Sequence, residues 1–304
     1  MKRNPSLLLT ITIILILPLG FACTELGSDN IMSDEITDYE WPRENYHAIW
    51  GTSPNTIFTV GSSGVILRYD GVNWTQMETG TESTLFGVWG SSGSNVYAVG
   101  ESGTLLHYDG TEWSAIDLGL RTRIHSIWGA SEDKIFIGTA AGSIYHFDGH
   151  EWNEQQLSVS GAINGIWGSH TDEIFAVGTA GTILRYEEDE WISVSDGNPS
   201  LFAIWGTSDA DIIYATGSGG TVLKYDRETD EWMDENLNTT NGIYGIWGSS
   251  ATNVIATGLN GTILFFDGED WTGQDRFSME NISGVWGSRG TVFIVGGYGL
   301  IREL

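Results

Sequence analysis

Apolar positions in this chain come in short runs separated by polar turn residues, and the runs recur. One unit, read from Leu85, is LFGVWGSSGSNVYAVGESGTLLHYDGTEWSAIDL. Its pattern predicts four β segments: Leu85–Trp89, Asn95–Val99, Thr104–Tyr108 and a fourth that begins near Trp113. Thr56–Val60 and Glu173–Val177 are twins of the second segment. Each segment is about five residues, an ordinary strand length. The second and third are apolar on both faces, as in Ile57, Phe58 and Val60 or Val65, Ile66, Leu67 and Tyr69. Such runs suit a sheet covered on both sides. A two-sheet sandwich would expose one face of each sheet and show cleaner alternation.

The connections carry turn chemistry. Gly-x-x-Gly follows the second segment at Gly61/Gly64, Gly100/Gly103, Gly178/Gly181, Gly217/Gly220, Gly258/Gly261 and Gly296/Gly299. The third unit keeps Gly142 but has Thr139 at the first position. Positive φ in a tight hairpin is the expected reason for these glycines. A β run follows each pair, so no helix N-terminus is offered to an anion and nucleotide binding is excluded. Asp-Gly follows the third segment at Asp70-Gly71, Asp109-Gly110, Asp148-Gly149 and Asp267-Gly268, a strong hairpin signal. Glu187-Glu188-Asp189 and Asp226–Glu231 replace it in the fourth and fifth units.

All fourteen tryptophans fall into two ladders. Trp50, Trp89, Trp128, Trp167, Trp205, Trp247 and Trp286 are each followed by Gly, at steps of 39, 39, 39, 38, 42 and 39 residues. Trp41, Trp74, Trp113, Trp152, Trp191, Trp232 and Trp271 form the second. A period near 40 with four antiparallel strands describes a blade of a β-propeller. The seventh unit stops at Leu304, after its third strand, and Trp41 stands alone at the front. The expected fold is therefore all-β: a seven-bladed propeller of four-stranded blades, the last closed by an N-terminal strand around Trp41.

The unit resembles repeats of bacterial propellers of the BNR and YCF48-like type over residues 41–304, and more loosely tectonin-type lectin repeats. The Asp-Gly-x-x-Trp turn is similar to a shortened Asp-box. The repeats lack the Gly-His/Trp-Asp pairing of WD40 units. The YCF48-like resemblance implies a further role, assistance in assembling a membrane complex.

Composition adds an address. Lys2 and Arg3 precede an apolar run from Leu7 to Leu19, and Leu19-Gly20-Phe21-Ala22-Cys23 resembles a bacterial lipoprotein cleavage motif. Residues 1–22 are expected to be a signal peptide. Residues 23–38 would be a lipidated Cys23 and a flexible acidic tether, and residues 39–304 the propeller. Cys23 is the only cysteine, so no internal disulfide can form. The 13 basic residues less Lys2 and Arg3 leave 11 against 40 acidic, a balance of −29. That excludes a nucleic-acid footprint and leaves membrane contact to the lipid alone. The expected product is a monomer in the bacterial cell envelope, extracytoplasmic and lipid-anchored.

Residues needed in every blade serve packing and turns, so function is sought where blades differ. Two residues before each Trp-Gly stands a small side chain: Ala48, Gly87, Ser126, Gly165, Ala203, Gly245 and Gly284. Three residues before it the identities vary: His47, Phe86, His125, Asn164, Phe202, Tyr244 and Ser283. In a propeller the first strand is innermost, which puts this ring near one mouth of the channel. It is the candidate ligand site, with aromatic and polar groups suited to sugar or peptide. The ring has no carboxylate or thiolate partner for His47 and His125, so no metal is expected, and no cofactor either. No nucleophile elbow, zinc motif or sialidase-like arginine cluster appears. The reading is a non-enzymatic binding or scaffold module for protein or glycan. The alternative is a carbohydrate-active hydrolase or lyase acting at the channel mouth. Two carboxylates within about 10 Å there would favour hydrolysis; aromatics and amides would favour binding. A basic stripe on the third strands (Arg68, His107, His146, Arg185, Lys224) is expected to pair with carboxylates.

Overall fold

The computed structural model describes residues 41–304 apart from positions 156, 158, 160, 170–172, 195, 196, 198, 275 and 276. Seven sheets follow one another along the chain, six of four antiparallel strands in sequential order and the last of three. The first strands are Tyr46–Ser53, Leu85–Ser92, Ile124–Ser131, Ile163–Gly168, Leu201–Gly206, Ile243–Ser250 and Ile282–Ser288. They stand side by side around a ring, and Ile282–Ser288 returns to lie against Tyr46–Ser53. The chain is a seven-bladed, all-β propeller.

The Trp-Gly step is one interlocking device used seven times. Each tryptophan lays its indole on the glycine of the next blade. A Cβ built on Gly90 would lie 2.8 Å from Trp50, on Gly129 2.5 Å from Trp89, and on Gly248 2.5 Å from Trp205. The circle closes with Trp286 over Gly51, where a Cβ would lie 2.9 Å from the ring. These glycines answer a close approach rather than an unusual φ. The second ladder also packs between blades. Trp113 meets Phe58 edge-on at 6.4 Å, Trp191 meets Phe136 at 5.8 Å, Trp232 meets Phe175 at 5.7 Å and Trp74 meets Phe293 at 5.8 Å. Edge-to-face pairs of this kind stabilise by about 1 kcal/mol beyond the area they bury.

Two different constraints act on the Gly-x-x-Gly turns. The second glycine takes positive φ, 69° at Gly64 and 75° at Gly103. The first is extended, φ −162° at Gly61. Its Cβ would collide with the backbone carbonyl of Asn45, whose oxygen accepts the Ser62 N–H at 2.9 Å. Positive φ therefore explains only half of these glycines. In the Asp-Gly turns, Asp70 Oδ1 accepts the N–H groups of Val72 and Asn73, both at 2.8 Å, and Gly71 has φ 99°. Positive φ at the first central residue alone is the habit of a type II′ hairpin.

Those turn carboxylates make acid stability predictable. Backbone N–H donors hold Asp70, Asp148 and Asp267 below the usual range. At Asp109 the Thr111 hydroxyl leads and the Glu112 and Thr111 amides add, bringing it to about 2. A depressed folded pKa contributes stability that is full above the unfolded value, near 3.9, and lost as pH falls through the folded one. Urea titrations should show stability dropping between about pH 4 and pH 2. Asp109→Ala should flatten part of that drop while lowering the midpoint at neutral pH. An unchanged profile would count against the turn as its source.

The last blade departs from expectation. Among the described residues its sheet holds only Ile282–Ser288, Thr291–Gly296 and Ile301–Glu303, and the residues from Trp41 form no fourth strand. Trp41 instead joins the apolar cluster of blades seven and one, beside Trp74 and Phe293, and its Nε1–H donates to Gly299 O at 3.3 Å. Glu44 O accepts the Gly299 N–H at 2.7 Å, and Asn45 Oδ1 accepts the Tyr298 N–H at 3.1 Å. Linker length explains this. Ten residues separate Trp113 from Ile124, but only four separate Trp41 from Tyr46. A fourth strand lies about 14 Å from the first. Four extended residues reach about that far, leaving none to form the strand itself.

The basic stripe is also placed differently. His107 stacks on Tyr97 at 4.4 Å, His146 on Phe136 at 4.4 Å, and Arg68 lies over Phe58 at 5.8 Å. Stacking on the cross-strand aromatic is the role these three share. Arg185 combines it with ion pairs to Glu173, Glu187 and Asp230.

Candidate functional site

All seven variable residues sit at the same structural feature, a β-bulge. Tyr46 pairs with Gly61 and Ala48 with Val60, leaving His47 as the extra residue. The same skip falls at Phe86, His125, Asn164, Phe202, Tyr244 and Ser283. A bulge frees its extra residue from the ladder and re-aims the side chain. Here it does so at the start of every innermost strand, beside the Gly-x-x-Gly turn. The small residues that follow them face the neighbouring blade rather than the channel: a Cβ on Gly284 would lie 3.3 Å from Ile49, and one on Gly87 3.3 Å from Ile127. They bring the inner strands close enough for the bulged residues to meet.

Three of the seven form a row. His47 and Phe86 have ring centroids 5.1 Å apart, and Phe86 and His125 5.8 Å. Phe202 and Tyr244 make a second pair at 5.3 Å. Asn164 spends its amide on structure, donating through Nδ2 to Leu201 O at 2.7 Å. Ser283 holds the corresponding bulge in blade seven. All seven are half-buried.

Sequence reasoning missed three neighbours. Arg123 lies over the Phe86 ring at 4.6 Å and pairs with Glu101 at 3.1 Å. Ser62 Oγ is 3.3 Å from His47 Nε2. The available signal was position: Arg123 is two residues before His125, and Glu101 and Ser62 each follow the first glycine of a turn. Burial pushes His47 and His125 below the ordinary imidazole value; Arg123 pushes both the same way, and Glu101 opposes at His47. Both rings are therefore neutral at pH 7. The ring presents aromatic faces, imidazoles and a hydroxyl, and its seven positions include no carboxylate.

No protein-family model matches this chain, and no curated protein matches it in sequence. Solved propellers match its shape. A YCF48 structure with a bound D1 peptide aligns with TM-score 0.71 at 19% identity, covering 86% of this chain and 92% of that one. YCF48 from Cyanidioschyzon merolae aligns with TM-score 0.70 at 17% identity, covering 86% and 96%. The WD40 propeller domain of Doa1 aligns with TM-score 0.72 at 12% identity, covering 87% and 93%. At such identities the likeness is one of fold.

Proposed function

We propose that this chain is a non-enzymatic binding module that holds a protein or peptide at the mouth ringed by its seven bulged residues. The observation that carries the reading is the bulge itself, which turns a variable side chain out of the ladder in every blade. The peptide-bound YCF48 propeller supports it by analogy of shape. The module sits outside the cytoplasm on a lipid attached to Cys23. That residue and the tether lie outside the described residues, so the address rests on the sequence motif.

Two experiments test this. A photoreactive residue at Phe86 should crosslink an envelope polypeptide, while one at Asp133, on a hairpin of the other face, should not. Combined replacement of His125, Phe202 and Tyr244 by Ala should weaken capture by over about 100-fold, some 3 kcal/mol, with an unaltered unfolding midpoint. Capture from Asp133 alone, or unchanged capture by the triple variant, would overturn the mouth as the site. For the anchor, Cys23→Ser should abolish incorporation of labelled fatty acid and release the chain from membranes. Retained label would refute lipidation there.

A further inference from the structure

The face opposite the bulge ring carries two clefts between neighbouring blades. One, of 630 Å³, is walled by Trp89 and Trp128 and rimmed by Ser91, Ser131 and Glu132. The other, of 460 Å³, is walled by Trp205 and rimmed by Ser249, Ser250, Asp209 and Asp211. Each lies where a Trp-Gly step meets the first hairpin of the next blade. In each lining one serine accepts from an asparagine four residues on: Asn95 Nδ2 donates to Ser91 Oγ at 2.8 Å, on the Trp89 side of the first cleft, and Asn253 Nδ2 donates to Ser249 Oγ at 2.7 Å, across from Trp205 in the second. Asn and Ser four residues apart after Trp-Gly occur in blades two and six only. Those are blades that line the two clefts.

The pair sets what the clefts can offer. A serine oxygen that accepts from an amide keeps its own O–H free to donate. In blade two the amide is itself oriented, because His107 Nε2–H donates to Asn95 Oδ1 at 2.7 Å. Burial holds that imidazole below its ordinary pKa, so it stays neutral and the orientation is kept at pH 7. The cleft walls add indole, part-exposed at Trp128 and Trp205 though buried at Trp89, which favours the C–H face of a ring. Among the described residues neither lining contains Lys or Arg, and both include carboxylates, so an anion is repelled. Asp211 faces Arg227 at 3.7 Å, and Asp209 caps its own turn by accepting the Asp211 N–H at 3.2 Å, so a cation finds little unspent charge in the second cleft. What remains is a ligand that is neutral, rich in hydroxyls and apolar on one face.

We infer that these two clefts are binding sites for a neutral saccharide, two per chain, on the face away from the bulged ring. Two sites give the propeller a bivalent grip on a glycan surface, where effective concentration rather than single-site affinity sets retention. The site is independent of what the mouth binds.

The test is a titration of the full chain with maltotriose, cellotriose, mannotriose and chitotriose, and with sialyllactose as an acidic comparator. Calorimetry reads stoichiometry and tryptophan fluorescence reads the clefts. At least one neutral probe should bind with two sites. Ser91→Leu or Ser249→Leu alone should leave one site, and both together should weaken binding by about tenfold or more. Both serines are exposed on hairpins, and an unchanged urea midpoint shows that the fold is kept. Ser91→Ala with Ser249→Ala removes the hydroxyls without adding bulk and should also weaken binding. Failure of every neutral probe to saturate by about 10 mM, wild-type binding by the double Leu variant, or tighter binding of sialyllactose would each overturn the inference.

Discussion

Gly129→Ala is expected to destabilise the propeller by about 3 kcal/mol, near the top of the range for overpacking a dense interior. The added methyl would stand 2.5 Å from Trp89 Cη2 and 2.7 Å from Cζ2. The indole is broad, rigid and only 9% exposed, so it cannot swing aside without opening the joint between blades two and three. Alanine's better strand propensity recovers only a fraction of a kcal/mol. Trp89→Ala alone should cost about 4 kcal/mol by emptying the same joint. The two losses should not add, because the methyl no longer has an indole to meet. Urea unfolding of the two single variants and the double variant measures this. Simple additivity, or a Gly129→Ala midpoint like that of the parent, would show that the glycine serves something other than the tryptophan.

The blades were legible because the chain solves one packing problem seven times. Indoles, glycines and Asp-Gly turns recur at a fixed distance, and that alone counted the blades and placed their strands. What a repeat hides is the physical reason for each member. Trp-Gly reads as a dipeptide, yet its two halves act on different neighbours: the tryptophan reaches forward one blade while its glycine receives the tryptophan from behind. The two glycines of each Gly-x-x-Gly look alike, although one needs positive φ and the other needs the absence of a Cβ.

The bulges were invisible for a related reason. Every blade has one, so no insertion disturbs the period, and the ring residues could be picked out only by their variety. Arg123 and Glu101 were missed because each belongs to a different strand connection, and only the fold brings them over Phe86. Trp41 misled because its residue type matched the ladder. Its nine-residue distance to Trp50, against fourteen or fifteen elsewhere, already showed that it could not fill a ladder strand's place. Spacing carried the geometry where residue type did not.

Blade three supplies a second test of spacing against type. In six blades the small residue of the first strand faces Val or Thr on the second, as Gly87 faces Val99 and Gly245 faces Thr257. Blade three reverses the sizes: Ser126 faces Gly138. A Cβ on Gly138 would lie 2.5 Å from Ser126 Oγ and 2.6 Å from Ile163 Cγ2. Gly138→Val, which restores the residue found at this place in most blades, should therefore cost about 3 kcal/mol instead of stabilising. Ser126→Gly alone should cost about 1 kcal/mol, since it removes the buried hydroxyl that donates to Ile163 O at 3.3 Å. The double variant recreates the Gly87–Val99 pairing and should be more stable than Gly138→Val alone. Recovery should stop near half, because Ile163 must still shift to admit the valine. A double variant no better than Gly138→Val would mean that Ile163, not Ser126, sets the size of residue 138. A single Gly138→Val variant at least as stable as the parent would mean that the two strands can part without cost, which the closeness of every inner-strand pair in this ring denies.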